Sequence, residues 1–396
     1  MDIKNNNELW HFSLVRPHAP KRLSLFTLEL TQQCNFRCKY CCFSGNYKDR
    51  RKHNSLTMSY ATMHQTLKFI LDNRCPDRLT IVTFYGGEAL LALDKIKWMI
   101  SKLRTELGAD VGFSISSNGY VLTPKVTDWL CTIDDCMIYI TIDGFEELHD
   151  ANRRTVSDKP TYKTILNNLK YFKARYPYEY ESRVNFLVTL KQWNQLPLVS
   201  DKWKNNNFFK GKLPKHLSFI LPKNIDEMAN IVSPLEERRD VLETAFNRYK
   251  EGEDSLLTHQ FIEWTDNIYR GLQCIQDCSE ITIKTCIEDM YRTFINARGD
   301  IYVCERFCSE YNIGNVNKEG LDEGKLIELE ETYIKRRNKI CVNCNAAPLC
   351  RMCMLILNYN DEELNALCKT ERLMVELIKE YAWKRRMYDR RKMLVE

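Results

Sequence analysis

Three cysteines near the N-terminus have a spacing that could hold a metal cluster. Cys34, Cys38 and Cys41 form a C-x3-C-x2-C loop that directly follows an apolar, strand-like run over Leu23–Thr31. Three thiolates so close together can bind three irons of a [4Fe–4S] cube, whereas such clusters normally take four protein thiolates. The fourth iron would then be open to another ligand. A zinc knuckle is the alternative interpretation of this loop.

Short motifs of glycine and polar residues follow later strand candidates. Glycines let the backbone pass close to a ligand, a carboxylate can accept hydrogen bonds from an ammonium group, and hydroxyl and amide groups suit a nucleoside. Asn-Gly and Asp-Gly are also common turn dipeptides, so each motif alone is consistent with an ordinary turn. The residues concerned are Gly86, Gly87, Glu88, Ser117, Asn118, Thr141, Asp143 and Arg153.

A second group of cysteines lies in the C-terminal half, where ten of the seventeen cysteines fall between Cys274 and Cys368. The chain has no signal peptide and an odd cysteine count, which argues against a disulfide framework and favours metal binding. The spacing is C-x12-G-x4-C from Cys286, followed by C-x2-C-x5-C-x2-C from Cys341. Taken alone, the second pattern would favour a zinc ribbon.

Together these motifs resemble the radical S-adenosylmethionine (SAM) enzymes, over roughly residues 23–370. The resemblance implies that the N-terminal cysteines hold a [4Fe–4S] cluster whose open iron binds the amino and carboxyl groups of SAM. It implies that Gly86, Gly87 and Glu88 receive the SAM amino group and that Arg153 binds its carboxylate. Ser117 stands where the family usually has threonine, and Thr141 stands where it usually has serine. Both residues keep the hydroxyl group. The remaining implied SAM contacts are Asn118, Asp143 and Leu187, the last beside the adenine.

The C-terminal cysteines resemble the SPASM domain, which carries two auxiliary [4Fe–4S] clusters. The implied ligands of the outer cluster are Cys341, Cys344, Cys350 and Cys368. Those of the inner cluster are Cys286, Cys304 and Cys353, with Cys278 as the fourth ligand and Cys274 as its alternative. If neither serves, that iron is open to substrate. The chain departs from the family at its last cysteine pair, which is C-x2-C instead of C-x3-C.

Strand and helix patterns alternate between the motifs. We predict parallel βα units with right-handed crossovers, hence a partial (β/α)6 barrel with its site at the carboxyl ends of the strands. The predicted strands are Leu23–Thr31, Leu79–Tyr85, Gly112–Ser117, Met137–Ile142, Arg183–Leu190 and Leu217–Leu221, and the clearest helices are Met58–Asn73, Leu93–Leu107 and Thr161–Tyr176. The predicted division is an N-terminal extension (1–22), the radical SAM barrel (23–235), the SPASM domain with its linker (236–372) and a basic C-terminal helix (373–396).

Composition excludes several other classes of protein. A hydrophobic content of 44% suits a packed core, and a net charge of +5 is too small to argue for nucleic-acid binding. The sequence contains neither an apolar run of membrane-spanning length nor a signal peptide, so we expect a cytoplasmic protein with no membrane partner. The end of the chain, Leu364–Glu396, reads as a basic amphipathic helix with a solvated face. The alternative is that this face docks an acidic peptide.

The resemblance implies an enzyme that abstracts hydrogen from a peptide or protein, giving a thioether or carbon–carbon crosslink or an oxidised residue. Its cofactors would be SAM, one SAM-binding [4Fe–4S] cluster and two auxiliary clusters. Its implied partners are the peptide, an electron donor such as flavodoxin or ferredoxin, and a separate leader-binding protein. The alternatives are an anaerobic sulfatase-maturing enzyme and, in another class, a non-enzymatic iron–sulfur or zinc protein.

We predict that replacing Cys34, Cys38 and Cys41 together by alanine abolishes 5′-deoxyadenosine formation from SAM, because the cluster loses its protein ligands. Anaerobic chromatographic assay of 5′-deoxyadenosine checks this. Persistent SAM cleavage by the triple variant would contradict the assignment of the loop.

Overall fold

The computed structural model describes residues 11–14, 23–45, 47, 50–220, 234–273, 280–283, 292–307, 309–350 and 352–394. An eight-stranded, mostly parallel sheet forms its centre. The strands are β1 His11–Leu14, β2 Leu25–Thr31, β3 Thr80–Gly86, β4 Val111–Ser117, β5 Cys136–Thr141, β6 Val184–Leu190, β7 His216–Phe219, β8 Glu280–Ile283, β9 Arg292–Ile295, β10 Ile301–Tyr302, β11 Gly314–Asn315 and β12 Gly320–Leu321. The α-helices are α1 Tyr60–Asn73, α2 Leu93–Leu107, α3 Pro124–Leu130, α4 Glu146–Asn152, α5 Tyr162–Arg175, α6 Pro177–Arg183, α7 Gln195–Lys204, α8 Leu235–Lys250, α9 Leu256–Gln273, α10 Glu323–Cys341 and α11 Asp361–Met393.

Strands β2 to β7 lie side by side in chain order and are all parallel. They confirm the six predicted strands, with ends within two residues of those predicted, although Leu221 lies outside the described residues. The three predicted helices are confirmed as α1, α2 and α5. Strand β2 is buried on both faces after its first residue, as expected for a parallel strand covered by helices.

Two strands that the sequence analysis did not predict extend the sheet. Strand β9 pairs parallel with β2, and β10 pairs antiparallel with β9, so β10 and β7 form the two edges. One cavity of about 240 Å³ is lined both by Ile220, next to β7, and by Arg306, just beyond β10. Eight strands laid flat at about 4.8 Å spacing would separate the edges by about 34 Å. The sheet therefore curves around this cavity, as a partial barrel does.

The cysteine-rich C-terminal part contains α10 and α11 and packs on α8 and α9. Helix α11 begins three residues before the predicted Leu364, because Asn360 and Glu363 form a capping box there. Its side chains Leu377 and Tyr381 are buried, and the Tyr381 hydroxyl donates to Glu243 on α8 at 2.8 Å. The basic end of the chain is thus the second half of a docked helix.

The N-terminal segment also joins this part of the protein. Strand β1 pairs parallel with β8, and the amide of Phe12 donates to Asn338 on α10 at 2.8 Å. The Phe12 ring is buried, with the Arg337 guanidinium 4.6 Å from its centroid. Among the helices of the described ranges, none is long and apolar enough to cross a membrane.

We predict that Leu377→Ala lowers the free energy of unfolding by about 2–5 kcal/mol, because it leaves a cavity where α11 packs. Leu373→Ala is the matched control, since Leu373 lies on the same helix with 46% of its surface exposed. Denaturant melts of both variants check this. Equal small effects would mean that α11 does not contribute to the core.

Candidate functional site

The three N-terminal cysteines line the cavity inside the curved sheet. They share it with most of the strand-end residues predicted to bind SAM, namely Gly86, Gly87, Glu88, Ser117, Asn118, Thr141 and Arg153. Backbone hydrogen bonds from Arg37 to the Arg154 carbonyl (2.8 Å) and from Lys39 to the Asn152 carbonyl (2.9 Å) tie the cysteine loop to the chain around the end of α4. The structure therefore brings the loop and the strand ends together, as the sequence analysis expected.

The donor set of the loop suits an iron–sulfur cube. Burial raises the pKa of the Cys34 and Cys41 thiols to about 12, so thiolates there need a cation to stabilise them. Across the described ranges, no three His, Cys, Asp or Glu side chains converge on a point where one metal ion could sit. A cube does not require that convergence, because each thiolate binds a different iron.

Two glycines join the end of β3 to the start of the cysteine loop. The amides of Gly87 and Glu88 donate to the carbonyls of Thr31 and Gln33, both at 2.8 Å. A Cβ on Gly86 would lie 2.3 Å from the Thr31 oxygen, and one on Gly87 would lie 1.9 Å from the Gln33 oxygen. Gly86 also has φ of 146°, which side chains rarely permit. Only glycine therefore fits at these positions.

The Glu88 carboxylate is buried at the wall of the cavity. It accepts hydrogen bonds from the Ser117 hydroxyl (2.8 Å), the Asn118 amide (2.7 Å) and the Leu90 amide (3.2 Å). Burial raises its pKa, and these three donors act in the opposite direction. Because a carboxylate has about four acceptor positions, one remains for a further donor such as an ammonium group.

Arg153 lines the cavity and is held there by Tyr40, a residue that the sequence analysis did not predict. Its Nη1 donates to the Tyr40 hydroxyl at 2.8 Å, and that hydroxyl donates to the Asp143 carboxylate. Asp143 also accepts from the Thr189 amide at 3.0 Å. The buried Arg153 Nε has no hydrogen-bond partner, so this cation retains a donor for a carboxylate. An aromatic residue between the second and third cysteines was the signal that could have identified Tyr40.

Two of the residues predicted to contact SAM do not line the cavity. Asp143 is fully buried and is not among the residues lining the cavity; its carboxylate holds Tyr40 instead. Leu187 does not line the cavity either, whereas Thr189, two residues later on the same face of β6, does. Side chains alternate along a strand, so Leu187 and Thr189 share a face of β6, and Thr189 is the one nearer the strand end.

His149 has a structural role beside Asp143 and Arg153. Burial lowers its pKa to about 2, so the ring is neutral. Its Nδ1 accepts from the Asp143 amide at 3.2 Å, and its Nε2 lies 3.1 Å from the Thr161 hydroxyl, which donates to the Arg153 carbonyl. The neutral ring thus links the Asp143 turn to the backbone of Arg153.

The four cysteines assigned to an outer cluster line one further cavity, of about 70 Å³. They are Cys341, Cys344, Cys350 and Cys368. The buried Arg337 guanidinium lines the same cavity, and its Nε has no hydrogen-bond partner. A buried cation beside four thiols suits an anionic thiolate-bound cluster.

The residues assigned to an inner cluster are only partly described. Cys304 is half-buried in the segment after β10, and burial raises its pKa. Cys353 is exposed and does not line the outer cavity. Cys278, Cys286 and the alternative Cys274 lie outside the described residues, so the inner ligand set remains a prediction.

Residues 28–195 match the sequence model of the Radical SAM superfamily. This segment is a radical SAM domain, and the protein is an enzyme. It is 24% identical over 349 residues to the cysteine-type anaerobic sulfatase-maturating enzyme of Clostridium novyi, covering 84% of this chain and 87% of that one. It is 22% identical over 365 residues to the radical SAM cyclopropyl synthase TigE of Paramaledivibacter caminithermalis, covering 88% and 71%.

Among solved structures, the chain is similar to native anSMEcpe with bound AdoMet and Cp18Cys peptide. The TM-score is 0.64 at 18% identity, and the match covers 92% of this chain and 99% of that one. At this identity the similarity shows the fold. It confirms the predicted fold class, a radical SAM core followed by a cysteine-rich region of the SPASM type.

We predict that Tyr40→Phe lowers the free energy of unfolding by about 1–3 kcal/mol and weakens SAM binding, because Arg153 and Asp143 lose their common partner. Tyr171→Phe is the matched control, since it removes a surface hydroxyl that donates to Asp128 at 2.8 Å. Denaturant melts and calorimetric SAM titration measure the two effects. Losses no larger than those of the control would contradict this role of Tyr40.

Proposed function

We propose that this radical SAM enzyme modifies a peptide or protein by abstracting hydrogen from one of its residues. The observation that carries the proposal is the single cavity lined by three cysteine thiols, Glu88 and Arg153. The similarity to a maturating enzyme, to a cyclopropyl synthase and to a structure holding a peptide supports a peptide as the substrate.

In this proposal Cys34, Cys38 and Cys41 hold a [4Fe–4S] cluster beside SAM. Glu88 accepts from the SAM ammonium with its remaining acceptor position, and Arg153 donates to the SAM carboxylate. When bound, the cluster and SAM supply a 5′-deoxyadenosyl radical able to remove hydrogen from a carbon–hydrogen bond. Tyr40 and Asp143 keep the Arg153 guanidinium oriented.

The C-terminal cysteines form the second part of the proposal. Cys341, Cys344, Cys350 and Cys368 bind an outer auxiliary cluster, whose negative charge Arg337 offsets. Cys304 and Cys353, with Cys286 and Cys278, bind an inner one. Auxiliary clusters in these positions accept the electron that remains when the product is oxidised, or anchor the substrate. An external flavodoxin or ferredoxin and a separate leader-binding protein complete the proposed partners.

Sulfatase maturation is the second candidate. The match to the Clostridium novyi enzyme, which covers most of both chains, favours it. The two functions differ in their products. Formylglycine formation from cysteine removes two hydrogens and also replaces sulfur by oxygen, whereas crosslinking removes two hydrogens and keeps the sulfur.

The test is mass spectrometry of cysteine-containing peptides, including a sulfatase-derived one, incubated anaerobically with reconstituted enzyme, SAM and reductant. We expect about twelve irons per chain, since three cubes carry four each, together with 5′-deoxyadenosine and a peptide that has lost two hydrogens. Loss of two hydrogens together with replacement of the cysteine sulfur by oxygen would instead assign sulfatase maturation. Zinc in place of iron, with no SAM cleavage, would contradict both.

A further inference from the structure

The cavity holds two cations that the proposed SAM contacts leave unused. Its charged lining includes Glu88 and Arg153, which are assigned to SAM, and also Arg50 and Arg306. Arg50 follows the cysteine loop in the chain, whereas Arg306 lies just beyond β10, two residues after Cys304. Two distant segments therefore bring guanidinium groups to the same cavity.

These two arginines share neighbours that differ from those of Arg153. Arg50 and Arg306 both act electrostatically on Cys42 and on Tyr359. Arg153, by contrast, acts on Cys34, Cys38, Asp143 and Glu88. The cavity thus has one cation beside the predicted SAM site and a cationic pair elsewhere.

Neither guanidinium has a carboxylate bound to it within the ranges that the structure describes. The adjacent Glu305 accepts from Arg292 at 2.5 Å. The Arg50 Nη1 is buried without a hydrogen-bond partner, and the group lies 5.4 Å from the centroid of the Tyr47 ring. A buried guanidinium donor left unpaired is costly, which indicates that a ligand supplies the acceptor.

We propose that Arg50 and Arg306 form a carboxylate-binding subsite, which selects peptides carrying a carboxylate close to the residue that is modified. This inference rests on the proposed function, since it names a class of peptide for the same cavity. Guanidinium groups match the planar carboxylate through paired N–H donors, which a neutral amide cannot replace with equal strength. The carboxylate is that of an aspartate or glutamate side chain or of the peptide's C-terminus.

The probes are synthetic twelve-residue peptides with a central cysteine and random flanks. In the first pair of pools, the residue next to the cysteine is glutamate in one pool and glutamine in the other. In the second pair, the C-terminus is a free carboxylate in one pool and an amide in the other. Each pool is captured on immobilised, reconstituted enzyme with SAM under anaerobic conditions, and bound peptides are counted by mass spectrometry. We expect roughly tenfold enrichment of the acidic member in one pair, which also identifies the source of the carboxylate.

Substitutions assign this preference to the two arginines. Arg50→Gln with Arg306→Gln should reduce the acid-to-amide ratio to near one, and Arg306→Glu should reverse it. Arg391→Gln, at the exposed end of α11, is the matched control and should keep the wild-type ratio. If a double variant fails to assemble, either single variant measured alone should still reduce the ratio.

Equal capture of acidic and amide peptides by the wild-type enzyme would overturn the subsite, as would a preference retained by the double variant. The former result would mean that the arginines only offset the charge of the cluster. Measuring SAM cleavage on the same wild-type preparation separates the two proposals. Cleavage without acid preference contradicts the subsite alone, and acid preference without cleavage contradicts the proposed function alone.

Discussion

The backbone of Gly86–Glu88 lies directly against the backbone of Thr31–Gln33, and the geometry of the cavity depends on this contact. Two 2.8 Å hydrogen bonds join the segments, and the approach leaves no room for a Cβ on either glycine. The cysteine loop begins at Cys34, directly after Gln33, and Glu88 directly follows the two glycines. The contact therefore fixes the thiols relative to the carboxylate before any ligand binds, which is the preorganisation that a cofactor site requires.

Around this contact, buried polar groups position one another instead of facing solvent. Asp143 holds Tyr40, Tyr40 holds Arg153, and the neutral His149 links the turn at Asp143 to the backbone of Arg153. Asp143, His149 and Arg153 are buried and Tyr40 is half-buried, so these groups would be costly without their partners. Such a network keeps the Arg153 cation in one orientation inside the curved sheet, while its Nε stays available to a ligand.

The sequence predicted the parallel core closely because its strands are short apolar runs and its helices carry apolar residues at helical spacing. It also predicted which cysteines group together, since Cys341, Cys344, Cys350 and Cys368 share one cavity. It could not predict Arg50 or Arg306 as cavity residues, because their placement depends on contacts between distant segments, whereas Tyr40 carried a signal in its position between two cysteines of the loop. Strands β9 and β10 were missed for a similar reason: they are short, and they are strands because β9 pairs with β2 and β10 pairs with β9. The proposed domain boundaries remain predictions.

The central claim is that the cysteine loop and the strand ends form one site that binds SAM to an iron–sulfur cluster. Electron–nuclear double resonance of the reduced, reconstituted enzyme tests it most directly, using SAM isotopically labelled at its amino nitrogen or its carboxyl carbon. We predict hyperfine coupling of both labels to the cluster, because the three-cysteine loop leaves one iron open to them. A cluster-containing enzyme that shows neither coupling would contradict the account.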